Sequence, residues 1–236
     1  MRPVVSVLTD GSGSTGDGRL DVTRATIEAA GGRPRPPFGP LTDAAVYEAL
    51  LTGGFDTLTD IAATLASTIV EHRIERVVAD AIEGYNPTHD ACQLLARAAV
   101  HTACRRGQRA TVFEFEVVEA SQRADERDDV LLLELDDAGL DRKLTLATAY
   151  ARLAGQVLEQ EVTGMIARHG PEAFRRERLV PASTASLASR FGGEAPFYET
   201  HGERRVREGK YSRALRLHEH LVPFERCLRD WVMSAS

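Results

Sequence analysis

Eight consecutive positions, Glu83-Gly84-Tyr85-Asn86-Pro87-Thr88-His89-Asp90, bring two carboxylates, a phenol, an amide and an imidazole together. The segment follows a short apolar run, Arg76-Val77-Val78-Ala79-Asp80, and precedes a stretch in which Cys92, Leu95, Ala96, Ala99 and Val100 recur at helical spacing. The spacing predicts a helix from His89 to about Arg105, so His89 falls in its first turn. A helix N-terminus presents free N–H groups and favours negative charge. Neutral imidazole is a common metal ligand, an asparagine amide can donate to an oxyanion, and Asp90 could carry a proton. These types also suit a purely local role, with Asn86 and Asp90 making turn and cap hydrogen bonds and His89 as their partner. The residues alone leave both readings open.

A second polar loop, Asp10 to Gly18, leaves another apolar run, Pro3 to Leu8. Its small residues could let backbone N–H groups approach a phosphate. It lacks the lysine of a P-loop, and Gly11, Gly13 and Gly16 match G-x-G-x-x-G only as a lone spacing, so a flexible connection is the favoured reading. His218 and His220 are two apart, which on a helix points them about 200° apart and rules out a shared metal. No serine lies in a G-x-S-x-G elbow.

The elements that would hold these loops alternate. A buried strand over Pro3–Leu8 leads to a helix from about Leu20 to Ala30, closed by Gly31-Gly32. Residues Arg33 to Pro40 contain four prolines and read as an irregular surface connection. Leu41–Leu51 is expected to be helical. Leu58, Ile61, Leu65 and Ile69 mark one face of a helix reaching about His72. Arg76–Asp80 reads as a short buried strand. Thr111–Val118 alternates as a half-buried strand, with Phe113, Phe115 and Val117 inward and Glu114 and Glu116 on the polar side. Val130–Leu135 is a further apolar strand, and Leu140 to about Gln160 a long helix. Gly164–Tyr198 reads as irregular, and from Glu203 onward one or two helices are expected, Pro223 starting the second. Strand–helix alternation of this kind predicts an α/β fold, a Rossmann-like and mostly parallel sheet with helices on both faces. Such sheets bind ligands at the carboxyl ends of their strands, where the Asp10 and Glu83 loops both begin.

The Glu83–Ala91 segment resembles the second metal motif of the PIG-L/LmbE-like deacetylases, which reads roughly E-G-G-H-P-D-H-x-A. These are zinc-dependent hydrolases that remove acetyl groups from N-acetylglucosamine-type substrates. Other pieces resemble the family in the same order. Val7-Leu8-Thr9-Asp10-Gly11 is similar to its second strand, and Lys143 to Tyr150 to a helix running from lysine to tyrosine. Glu172–Glu177 is similar to the stretch that often follows. Tyr198-Glu199, His201-Gly202-Glu203, Val206 and Glu219-His220 resemble a C-terminal pattern. The similarity spans most of the chain and implies a single domain over residues 1–236 with a helical C-terminal extension from about residue 200.

The resemblance implies zinc and puts the family's metal-binding histidine at His89. Asn86 stands where the family has the histidine that stabilises the tetrahedral intermediate. The family's first motif, H-P-D-D, is not found in residues 1–20. If Pro3–Leu8 is the family's second strand, the first strand and its motif are missing, which a start codon upstream would explain. If it is the first strand, Asp10 is the carboxylate left in place of the motif. The expected metal ligands are His89 and Asp10, with His220, Glu83, Asp90 and Glu199 as candidates for the third that a catalytic zinc requires. Asp10 or Asp90 would carry the proton, and Asn86 would face the oxyanion. The implied function is deacetylation of a sugar-like small molecule. The alternatives are a metal-free relative binding a sugar or nucleotide-sugar, and an unrelated nucleotide-binding enzyme using the Gly11–Gly18 loop.

Composition narrows the partners. A net charge of −6 argues against nucleic acid. Arg204, Arg205, Arg207, Lys210, Arg213 and Arg216 are interleaved with acids and read as a solvated helix face. No run approaches the roughly 18 apolar residues that span a bilayer, and the N-terminus lacks a signal pattern. Cys92, Cys104 and Cys227 are widely spaced and odd in number, which predicts buried thiols in a reducing, cytoplasmic setting. High alanine and arginine usage suggests a bacterial source. The apolar tail Leu228, Trp231, Val232 and Met233 would pack on the core or on a second copy of the chain, so a homo-oligomer is left open.

Overall fold

A computed structural model describes residues 2–13, 16–116 and 129–234. The chain forms two compact units, Met1–Thr42 with Val130–Leu179, and Asp43–Asp129 with Val180–Ser236.

In the first unit, strand β1 (Val4–Thr9) runs through helix α1 (Leu20–Ala29) into strand β2 (Arg33–Leu41), which lies parallel to it. The Gly32 N–H closes α1 on the Ile27 carbonyl at 2.8 Å, as the glycine pair predicts. The proline-rich segment is therefore a strand, not an irregular connection. Proline is tolerated at a sheet edge, where the missing N–H faces no partner. Among the described residues β2 pairs with β1 alone, and its register slips between Val5 and Val7 and again between Val7 and Thr9.

Strand β5 (Leu131–Glu134) pairs antiparallel with the first four residues of β6 (Arg176–Pro181). Between them lie α5 (Asp137–Ala154), α6 (Gln156–His169) and a 3-10 turn at Pro171–Phe174. The expected single helix from Leu140 to Gln160 is two helices, broken at Gly155, whose φ of 121° no helix contains. The expected irregular stretch after Gly164 contains the rest of α6 and all of β6. Asp136 caps α5 by accepting the Gly139 N–H at 2.7 Å. Lys143 reaches the Phe174 carbonyl at 2.9 Å and pairs with Glu177, and Tyr150 meets Thr23 on α1 at 3.4 Å.

In the second unit, α2 (Asp43–Thr52) and α3 (Asp56–Glu71) precede β3 (Arg76–Asp80). Helix α4 (Pro87–Arg105) then returns the chain to β4 (Thr111–Phe115), parallel to β3 in unbroken register from Arg76 opposite Thr111 to Asp80 opposite Phe115. Val180 and Pro181, at the end of β6, pair antiparallel with β4. Helices α7 (Leu187–Arg190) and α8 (Phe197–Arg207), a π turn at Leu217–Leu221 and α9 (Val222–Ser234) complete the unit. Ala66 and Ile69 of α3 pack on Ala99, Val100 and Ala103 of α4 and Val112 of β4. Small side chains on both helices let them approach closely, which is why this core needs few large residues.

Three further expectations are corrected. Strand β3 pairs with β4 alone among the described residues and is half exposed, Val78 at 46%. Strand β4 is buried on both faces, because Glu114 is 6% exposed and satisfied internally. Cys104 is exposed. The inward-facing part of the C-terminal tail packs within its own unit, with Phe224, Leu228 and Val232 buried, while Met233 is 62% exposed. Of the late basic residues, Arg204, Arg205, Lys210, Arg213 and Arg216 form ion pairs with Glu48, Glu199, Glu203, Glu208 and Glu219. Val117 and Val118 lie outside the described residues. The whole is an α/β fold with parallel strands flanked by helices. No helix among the described residues is long and apolar enough to cross a membrane.

Candidate functional site

The loop between β3 and α4 is built by its own polar side chains. Asn86, in an extended conformation, caps α4 by accepting the Thr88 N–H at 2.9 Å, and Pro87 occupies the first helical position, where no N–H is needed. Its amide nitrogen is then left as a donor at the helix N-terminus.

Asp90 faces inward and is 1% exposed. Its Oδ1 accepts the N–H groups of Glu83 at 3.2 Å and Gly84 at 3.3 Å, which folds the loop back over the helix. Its Oδ2 is buried with no hydrogen-bond partner. Burial pushes its pKa up to about 7, against the pull of those two N–H groups and of Arg190. Gly84 is required by the same turn. Its φ is +67°, and an added Cβ would lie 2.5 Å from Cε1 of Phe191. The Gly84 carbonyl accepts the Tyr198 N–H at 3.1 Å. The Tyr198 hydroxyl is buried without a partner, and burial, then Asp90 and Glu199, raise its pKa.

His89 points back toward the end of β3, its Nδ1 3.4 Å from Oδ2 of Asp80. That side chain of Asp80 is one-quarter exposed, and burial raises its pKa while His89 draws it down. A carboxylate beside Nδ1 favours the tautomer that keeps its proton there and leaves Nε2 free to take a proton or a metal. Beneath them, burial and then Asp80 push the Cys92 thiol up to about 12, so it is an inert neighbour.

A buried ionic network underlies the loop. Arg190 grips Glu114 through both nitrogens, at 2.9 and 3.0 Å, while Gln93 donates to the same carboxylate at 2.7 Å. This joins α7, β4 and α4.

The structure thus brings Asn86, His89 and Asp90 together with Asp80. Asp10 belongs to the other unit and is described there. It accepts the Ser12 N–H at 2.9 Å, and the Ser12 hydroxyl and N–H hold its carboxyl below the usual range. Three of the candidates for a third ligand have structural partners. His220 Nδ1 accepts the Arg216 N–H at 2.9 Å, Glu199 accepts the Leu217 N–H at 2.7 Å, and Asp90 holds the loop. Sequence reasoning missed Asp80 as a site residue. Its signal was its position as the last residue of a strand that opens into the polar loop. Among the described residues no three His, Cys, Asp or Glu side chains cluster as a metal site, and with Asp80 on its Nδ1 side His89 by itself falls two donors short of a three-ligand zinc centre.

No family model matches the chain. No curated protein matches it. Two solved structures are similar to it. The A40926 pseudoaglycone deacetylase Dbv21 superposes with a TM-score of 0.50 at 15% identity, over 76% of this chain and 84% of that one. A deacetylase triple mutant, Orf2*T, from the teicoplanin biosynthetic pathway aligns with a TM-score of 0.45 at 16% identity, over 70% of this chain and 71% of that one. The first likeness is one of fold.

Proposed function

We propose that this chain is a PIG-L/LmbE-like deacetylase, an amide hydrolase acting on a sugar-containing small molecule at the β3–α4 loop. The observation that carries the reading is the pairing of His89 with Asp80 at the carboxyl end of β3, beside the Asn86 cap of α4. The sequence resemblance of the Glu83–Ala91 segment and the fold likeness to a deacetylase support it. In this reading Asp80 orients His89, and the Asn86 amide nitrogen faces the developing oxyanion. Asp90 holds the loop in place, its Oδ1 accepting the Glu83 and Gly84 N–H groups. Zinc held through His89 would polarise the amide carbonyl and activate water. The part of Asp10 as a second ligand rests on the sequence resemblance alone.

A second reading is favoured by Asn86. It replaces a histidine of the family motif, and its carbonyl oxygen is committed to the Thr88 N–H. That reading is a metal-free relative that binds a sugar or nucleotide-sugar.

Metal content and acetate release from N-acetyl-sugar substrates, measured on the wild type and on His89→Ala, separate the two. About one zinc per chain, lost in the variant together with acetate release, is the expected result. Asp80→Asn should weaken the metal by about 10- to 100-fold while leaving the imidazole in place. No metal in either protein after incubation with zinc refutes the hydrolase reading and leaves the binding relative.

A further inference from the structure

The second unit contains a cavity of about 530 Å³ away from the β3–α4 loop, within the usual range for a small-molecule site. One wall is α4, which turns Leu94, Arg97, Ala98 and His101 toward it. The facing wall is α9, with Glu225, Leu228, Arg229 and Val232. Both sets follow the i, i+3, i+4, i+7 spacing of a single helix face. Leu94 and Ala98 on α4, and Leu228 and Val232 on α9, alternate on these faces with Arg97, His101, Glu225 and Arg229. Val112 of β4 forms part of the lining between them, and Ser183 and Ser186, on the segment joining β6 to α7, add hydroxyls.

Its electrostatics are unbalanced. The one carboxylate in the lining, Glu225, accepts the Leu187 N–H with both oxygens at 3.1 and 3.2 Å and keeps its charge, so the lining sets two guanidinium groups against one carboxylate. Among the described residues Arg97, His101 and Arg229 have no acceptor, in contrast to the ion-paired basic residues of α8. Arg97 Nη1 is moreover buried with no hydrogen-bond partner. A buried guanidinium nitrogen left unmatched carries a desolvation cost that an anion would offset.

We propose that this cavity is a binding site for a small amphipathic anion, an oxyanion head on an apolar body. Arg97 and Arg229 hold the head, with the Ser183 hydroxyl as a further donor. Ala110, Pro181 and Ala182, half-buried in the lining, take the apolar part. The site is independent of the deacetylase reading and shares no residue with it.

The test is calorimetric titration of the full chain with hexyl phosphate, inorganic phosphate and hexanol at low salt, on the wild type, Arg97→Gln and Arg229→Gln. Arg229 is exposed, so its variant should fold even if the Arg97 variant does not. The expected result is saturable hexyl phosphate binding, at least tenfold tighter than either fragment. It should be weakened about tenfold by Arg229→Gln, as loss of one charge-assisted contact predicts. No saturable binding, binding that the Arg229 variant leaves unchanged, or inorganic phosphate binding as tightly as hexyl phosphate would each overturn the proposal.

Discussion

Replacing Arg190 with methionine tests whether the buried ion pair beneath the loop holds α7, β4 and α4 together. Methionine keeps most of the side-chain length and removes the guanidinium. Glu114, 6% exposed, would then keep one donor, Gln93, of the three it now has. Each hydrogen bond to a charged group contributes about 1.5–3 kcal/mol, and leaving one member of a buried pair uncompensated costs about 3–5 kcal/mol. The variant should therefore lose about 3–5 kcal/mol in urea unfolding followed by circular dichroism. The double variant Glu114→Leu/Arg190→Met removes both charges and leaves Gln93 Nε2 without its acceptor, a cost of about 1–3 kcal/mol. It should be more stable than Arg190→Met alone, and the double-mutant cycle should show coupling of at least about 2 kcal/mol. A loss below about 1 kcal/mol for Arg190→Met, or strictly additive single effects, would refute the reasoning.

Gly84→Ala combines a positive φ with a Cβ 2.5 Å from Phe191, and should lower stability by about 2–5 kcal/mol. A thermal melt unchanged from the wild type would show that the turn is not constrained. In metal-stripped protein, Asp90 with a pKa raised to about 7 binds its proton more tightly folded than unfolded. Its contribution is full at low pH and is lost as pH rises to about 7. Between about pH 4.5 and 7.5 the wild type should therefore lose about 3 kcal/mol more stability than Asp90→Asn, which keeps the acceptor for the Glu83 and Gly84 N–H groups. Parallel pH profiles for the two proteins would contradict this.

Helices α1 to α4 and the β3–α4–β4 crossover were legible because their signals are local. Leu58, Ile61 and Ile69 fall on one face by spacing alone, and Arg76–Asp80 is a short apolar run that opens into the polar Glu83–Asp90 loop. The errors came where a local rule met a tertiary exception. The four prolines of β2 exclude a central strand, but not an edge strand with a partner on one side. Gly155 within an otherwise helical stretch could have been tolerated or could have ended the helix, and only its backbone angle decides. Glu114 alternates with Phe113 and Phe115 as a solvent-facing acid would, yet it is buried. Its partners, Gln93 and Arg190, are 21 and 76 residues away.

The candidate site divides in the same way. Sequence by itself determined the loop, the helix that follows it, the cap at Asn86 and the position of His89 in the first turn. Those depend on residue types a few positions apart. Tertiary structure alone decided that His89 faces Asp80 and that Arg97 and Arg229 share a cavity. Each of these depends on which faces of separate elements meet. That is set by packing between residues distant in sequence, and no local pattern encodes it.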